Sequence, residues 1–282
     1  MNIDFANNGG VCLLAANIRD LSEADYRRLY LSLLSKSEAA GLSRFRFDID
    51  RKRHAVGLAL RRAGLSRLLQ VSHLDIAFGV EAHGKPIVKN LDDLRCQSMR
   101  SDPDLATSVG FNISHGGDWV VAVFASSPIG VDIEYTQRSN DILTIAKRYF
   151  YAHEYDQLLV APSHAEERFY DLWTLKEAYM KARGEGIALG LDNFAFILDG
   201  AGRYRLHCKE SLNDQDENWH FLCSTPIAFH RLAIALRSDK KGNITECSRA
   251  VERPARVDMF KLVAQGEFET FDGFSELVFY DK

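Results

Sequence analysis

Long apolar runs are missing from this chain. The longest, Trp119 to Ala125, has seven residues, far short of the ~20 that a membrane-spanning helix needs, so no membrane partner is expected. The first twenty residues carry Asp4 and no early cluster of lysine or arginine, the reverse of a secretory signal. A basic excess is missing too. The net charge of −4 speaks against bulk nucleic-acid binding, which draws on a strong positive surplus. Cysteine is sparse, and Cys12, Cys96, Cys208, Cys223 and Cys247 are odd in number and scattered. No pair has the spacing of a zinc site or a redox motif, and reduced thiols in a cytoplasmic protein are expected. A Walker-type loop ending in Gly-Lys-Ser/Thr is also lacking, which counts against a P-loop phosphotransferase.

What is present is an ordinary globular composition, with 46% hydrophobic and 26% charged residues over 282 positions, enough for one large or two smaller cores. Val11 to Asn17 reads as a strand, and Ser22 as a helix cap with Asp25 as its partner. Helices are expected at 35–40 and 51–69, where Val56, Leu60 and Ala63 recur at helical spacing. His83-Gly84-Lys85-Pro86 reads as a turn, and residues 92–108 as a loop. Three strands follow closely, at 111–114, 119–124 and 129–134. Helices at 142–150 and 166–183 come next, the second closed by Gly184. Strands resume at 194–198, 204–208, 220–224 and 231–236, and Lys240-Lys241-Gly242-Asn243 marks a loop. Each half carries helices followed by strands, giving two lobes that meet near Pro128: 1–127 and 128–282, the latter with an extended tail.

Two segments could carry chemistry. In Gly130-Val131-Asp132-Ile133-Glu134, strand alternation puts both carboxylates on one face. They repel unless a cation lies between them, and hard oxygen donors suit Mg²⁺. A solvated strand face is the plainer alternative for an isolated Asp-x-Glu. In Trp173-Thr174-Leu175-Lys176-Glu177-Ala178-Tyr179-Met180-Lys181, Trp173, Glu177 and Lys181 share one helix face. The plainer alternative there is a Glu–Lys surface pair. Together they say more, because Glu177 can add a third carboxylate to Asp132 and Glu134. Lys176 lies off that stripe, as a surface or supporting residue. A third group is Phe111-Asn112-Ile113-Ser114-His115-Gly116. Adjacent Ser114 and His115 face opposite ways in a strand, which makes a nucleophilic pair poor and phosphate binding the better reading. Lys85, between Gly84 and Pro86, is a further phosphate partner.

Taken jointly, these segments resemble the Sfp-type 4'-phosphopantetheinyl transferases, whose hallmark is Gly-(Val/Ile)-Asp-x-Glu followed by Trp-x-x-Lys-Glu-(Ala/Ser)-x-x-Lys. Both match without a mismatch, and the Gly-Lys-Pro at 84–86 and Phe-Asn-Ile-Ser-His at 111–115 follow the same order. The resemblance covers roughly residues 42–200. It implies an α+β fold of two similar α/β lobes, pseudo-duplicated, with the active site in the cleft between them. It implies Mg²⁺ on Asp132, Glu134 and Glu177, with coenzyme A as substrate. Arg53, Lys85, Pro86, Ser114, His115 and Lys181 would bind the coenzyme, and Glu177 and Lys181 would be catalytic. The partner would be an apo acyl or peptidyl carrier protein, whose serine receives the phosphopantetheine arm, and a two-lobed member should act as a monomer. Some relatives place lysines for the 3'-phosphate where Glu38 and Gly41 stand here, leaving Arg44, Arg46, Lys52 or His54 as substitutes. Lys147-Arg148-Tyr149-Phe150 is a candidate patch for an acidic carrier helix. The alternative is a catalytically inactive module that only binds coenzyme A or a carrier.

Overall fold

The structure, a computed structural model, describes residues 11–98, 108–138 and 141–237, and the backbone of strands at 256–262, 268–270 and 277–278. The first half runs β1 (Val11–Asn17), α1 (Glu23–Leu33), α2 (Lys36–Gly41), α3 (Asp48–Leu69), β2 (Phe78–Val80), β3 (Pro86–Val88), α4 (Leu91–Ser98), β4 (Gly110–Gly116) and β5 (Trp119–Ala125). The second runs β6 (Ile129–Tyr135), α5 (Ile142–Tyr149), α6 (Ala152–Val160), α7 (Ala165–Arg183), β7 (Phe194–Leu198), β8 (Tyr204–Cys208), β9 (Trp219–Ile227) and β10 (His230–Arg237). Beyond these lie β11 (Arg256–Leu262), β12 (Phe268–Thr270) and β13 (Leu277–Val278). The mixture is α+β, as expected.

Local signals account for most boundaries. The Ser22 side chain accepts from the Asp25 amide, and Asp25 reaches back to the Ser22 amide, so two orphan donors of α1 are satisfied at once. Gly184, at φ 82°, closes α7 and donates to Met180 O. The loop expected at 92–108 is corrected over its first part, where α4 forms. Asp92 and Asp93 stand in its first turn, where carboxylates favour a helix N-terminus, and Leu94 anchors it in the core. Residues 99–107 and the loop at Lys240–Asn243 lie outside the described residues. Helix α6 escaped the sequence reading; Leu158 and Glu154 are its buried positions.

Two sheets organise the core. One has the order β12-β11-β1-β5-β4, and the other β6-β10-β9. Their facing sides pack on each other through Leu13, Val121, Val123, Val131, Ile133 and Ile234. Helix α3 covers the outer face of the first sheet through Val56 and Leu60. Helix α7 covers the outer face of the second, with Leu175 and Ala178 beside Ala233 and Ala235. Strand β11 runs parallel to β1, from Val11↔Val257 to Ala15↔Lys261, so the tail joins the sheet of the first half.

The sheets meet edge to edge at β4 and β6, and the joint is unusual. Among the described residues no backbone ladder connects these strands. Side chains of β4 serve instead: Asn112 Oδ1 accepts from Val131 N at 3.1 Å, and Ser114 Oγ from Ile133 N at 3.4 Å.

Candidate functional site

The site grows from the alternation of β6. Val131 and Ile133 enter the inter-sheet core, fully buried, which turns Asp132 and Glu134 toward the opposite face, where α7 lies. Gly130 lets α7 approach. A Cβ there would stand 2.1 Å from Ala178 O and 2.4 Å from Ala182 N, so any larger residue would push the helix away. The close crossing places the Glu177 and Lys181 turn over Asp132.

Lys181 Nζ donates to Asp132 Oδ1 at 2.6 Å and to Ser114 Oγ at 3.1 Å. Ser114 Oγ in turn donates to Asp132 Oδ1 at 2.9 Å. This hydroxyl, committed to Asp132 and the seam, is no nucleophile. Asp132 Oδ2 is buried without a hydrogen-bond partner among the described residues, a costly state for a carboxylate oxygen. Glu134 accepts from Trp173 and stands 3.8 Å from Arg138. Burial first, then the Asp132 charge, pushes its pKa up to about 7. The same two causes raise Glu177, which has no hydrogen-bond or ion-pair partner among the described residues. In place of the plainer alternative, a Glu177–Lys181 surface pair, Lys181 bridges to Asp132.

Two buried glutamates that the Asp132 charge penalises describe a place where negative charge is poorly compensated. Among the described residues no three acidic, histidine or cysteine side chains are gathered tightly enough to hold a metal as they stand. The donor set nevertheless fits a hard cation: all oxygen, with Asp132 Oδ2 unspent and two neighbours whose charge is poorly compensated.

Around this centre lie the remaining candidates. Arg53, on α3, donates through Nε to Gly117 O at 2.9 Å and pairs with Asp50 at 3.2 Å. His115 is exposed at the end of β4; local desolvation, then Arg53 and Lys181, hold its pKa below the usual imidazole value. Lys85 comes from the β2–β3 hairpin, whose turn is made by Gly84 at φ +86°. Its Nζ donates to Ala182 O at 2.6 Å, and burial lowers its pKa. Pro86 starts β3, half-buried. Arg53, Lys85 and Lys181 thus lie about the end of α7 and the β4–β5 turn, a basic rim beside the acidic centre, with the imidazole of His115 among them. A cavity of about 810 Å³ lies elsewhere, on another face of α7, lined by Arg168, Asp171, Tyr204 and Trp219 among others. None of Asp132, Glu134, Glu177 or Lys181 lines it.

Comparison with known proteins decides the family. A 4'-phosphopantetheinyl transferase superfamily model matches residues 128–237, and a 4'-phosphopantetheinyl transferase N-terminal model matches 22–128. The chain is 34% identical over 194 residues to 4'-phosphopantetheinyl transferase Sfp of Bacillus subtilis, covering 68% of this chain and 79% of that one. The chain belongs to the Sfp-type 4'-phosphopantetheinyl transferases. It is also 34% identical over 200 residues to 4'-phosphopantetheinyl transferase psf-1 of Bacillus pumilus, covering 69% of this chain and 78% of that one. Holo-[acyl-carrier-protein] synthase of Thermotoga maritima overlays with a TM-score of 0.34 at 20% identity, over 42% of this chain and 66% of that one, too loosely to add to the fold described above.

Within this transferase, Lys176 is one residue whose setting the sequence left open. It is not a surface residue. Its ammonium is fully buried, pairs with Glu154 at 2.8 Å and donates to Leu191 O and Phe194 O at 2.8 and 2.6 Å. The motif lysine therefore fastens α7 to α6 and β7. Glu38 is likewise committed: it pairs with Arg61 and Arg62, each at 2.7 Å. Of the substitutes named for the 3'-phosphate, Lys52 pairs with Glu23 and Asp48, and His54 lies tilted against Phe45. Arg44 and Arg46 are exposed and have no acidic partner among the described residues. In the 147–150 patch, Lys147, Arg148 and Tyr149 are exposed, but Phe150 is buried against Phe169 and Trp173 and drops out.

Proposed function

We propose that this chain transfers the 4'-phosphopantetheine arm of coenzyme A to a serine of an apo acyl or peptidyl carrier protein, releasing 3',5'-ADP. One observation carries the reading: Asp132, with one oxygen bound by Lys181 and Ser114 and the other unspent, beside two carboxylates that its charge destabilises. Such a centre is built for a cation and for the phosphates the cation would accompany. Asp132, Glu134 and Glu177 would hold Mg²⁺, which neutralises and orients diphosphate oxygens when bound.

The chain's own groups do the rest. Arg53, Lys85 and His115 bind the anionic coenzyme, and Ser114 and Pro86 border it; Arg44 and Arg46 are the cations left for its 3'-phosphate. Glu177 accepts the proton of the carrier serine as a positioned carboxylate. The serine oxygen forms a bond to the phosphorus bearing pantetheine, and that phosphorus releases its bond to the bridging oxygen. Lys181 stabilises the negative charge gathering on the leaving 3',5'-ADP. Positioning and electrostatics supply most of the acceleration, as in phosphoryl transfer generally. The exposed Lys147, Arg148 and Tyr149 offer an acidic carrier helix a complementary face. The working protein is a cytoplasmic monomer of two duplicated lobes, divided at residue 128, with the strand at 256–262 returning to the first.

The test incubates the full chain with coenzyme A, Mg²⁺ and an apo carrier protein and weighs the carrier by intact mass spectrometry. A gain of one phosphopantetheine, abolished by chelator and restored by Mg²⁺, is the expected result. No gain on several carriers, with coenzyme A still bound, favours the inactive binding module.

A further inference from the structure

The turn that follows His115 and receives Arg53 rests on a residue from the second half. Strands β4 and β5 are joined by Gly117 and Asp118 alone, and Gly117 sits at φ +54°. Its carbonyl receives both Nε and Nη2 of Arg53, at 2.9 and 2.5 Å. His115, just before the turn, feels the same guanidinium. The position of that carbonyl, together with Asp50, therefore sets where Arg53 points.

Beneath that turn lies His230, the first residue of β10, paired in register with Tyr135 of β6. It is 6% exposed. Its Nδ1 meets Ala228 O at 2.8 Å, so Nδ1 donates there. Nε2 is buried and has no hydrogen-bond partner among the described residues. The ring leans on Tyr135, with centroids 5.1 Å apart. A Cβ added to Gly117 would stand 2.7 Å from Nε2 and 3.3 Å from Tyr135 Cβ. Gly117 is thus pressed against the edge of the imidazole, with no room for a side chain between them.

We infer that His230 is a positioning residue for coenzyme binding: its imidazole seats the Gly117 turn and, through the Gly117 carbonyl, fixes the direction of Arg53. The inference rests on the proposed coenzyme A reading and deepens it. It makes the second half a contributor to a subsite whose binding groups belong to the first.

The experiment is a double-mutant cycle on the full chain, with coenzyme A affinity measured by calorimetry and KM and kcat by carrier mass gain. The variants are His230→Ala, Arg53→Ala and both together. Wild-type protein comes first: if it binds no coenzyme A, the functional reading fails before the inference is reached. With binding in hand, His230→Ala should raise Kd and KM for coenzyme A about fivefold and leave kcat within about twofold, the scale of a single well-oriented contact. In the Arg53→Ala background the same change should add nothing, because its effect passes through Arg53. Equal, additive losses in both backgrounds, or an unchanged KM in a folded His230→Ala protein, would overturn the inference. If the alanine variant does not fold, His230→Asn, smaller and still polar, serves in the same cycle. Gly117→Ala gives an independent arm: it should raise KM, and His230→Ala should restore part of that loss by making room for the new methyl group. Failure of that restoration, in folded proteins, also counts against the seat.

Discussion

Asp132 and Glu177 differ in what they lose when removed, although both stand at the centre of the proposed chemistry. Asp132 holds Lys181 and Ser114, whereas Glu177 holds nothing among the described residues and is disfavoured by burial and by Asp132. Asp132→Ala and Glu177→Ala should each cut transfer by about a thousandfold, the scale of removing one electrostatic contributor from a preorganised site. Glu177→Ala should nevertheless melt no lower than wild type in chelator. Retained turnover with Mg²⁺, read from the carrier mass, would remove either residue from the site. Glu38 belongs to stability instead. Burial raises its pKa, but hydrogen bonds from Arg62 and Ser35 and the Arg62 charge outweigh burial, and the net shift is downward from the ordinary 4.5. A depressed carboxylate contributes stability above its unfolded pKa and loses it as pH falls through the folded one. Glu38→Gln should therefore cost about 3 kcal/mol at pH 7, leaving Arg61 and Arg62 buried without their anion, and the deficit should shrink below pH 4.5. Urea midpoints of the two proteins across that range check it, and parallel acid-side curves would contradict it.

At the scale of elements, helix α7 shows why a motif and its meaning can be legible to different degrees. Trp173, Glu177 and Lys181 were readable as one face because 3.6-residue periodicity is local. That Lys176 is buried was not readable, since its partners Glu154, Leu191 and Phe194 come from α6, a loop and β7, and tertiary pairing leaves no spacing signal. Lys176→Met alone should destabilise by about 3–5 kcal/mol, stranding Glu154 in the core, while Lys176→Met with Glu154→Gln should recover most of that loss. Calorimetric unfolding separates the two. The β9–β10 turn carries a different kind of element-level tension. Phe229 is 58% exposed yet adopts φ 61°, a conformation that costs a bulky side chain about 1–2 kcal/mol and suits asparagine. Phe229→Asn should raise stability by about 1 kcal/mol in chemical denaturation; a loss would show that the ring packs more than its exposure indicates. The helix α4 was hidden for a related reason: Asp92 and Asp93 read as turn residues until the structure put them at a helix start.

At the scale of the whole molecule, the tail was the least legible part. Nothing in the local pattern of residues 256–262 indicates that they pair parallel to β1, because such a pairing joins the two ends of the chain. Removing residues 256–282 should leave one edge of β1 bare and lower the melting temperature measurably, while leaving β6, α7 and the Asp132 centre in place; an unchanged melting curve would argue that β11 contributes little. The seam between β4 and β6 has a consequence of another order. Main-chain ladders are indifferent to spelling, since every residue but proline brings the same amide. Here the clasp is made by Asn112 and Ser114, and Ser114 also holds Lys181 and Asp132. The edge seam between the halves is thus written in two codons, one of them shared with the Asp132 centre, and drift at that codon cannot alter the contacts of the centre without also altering the seam.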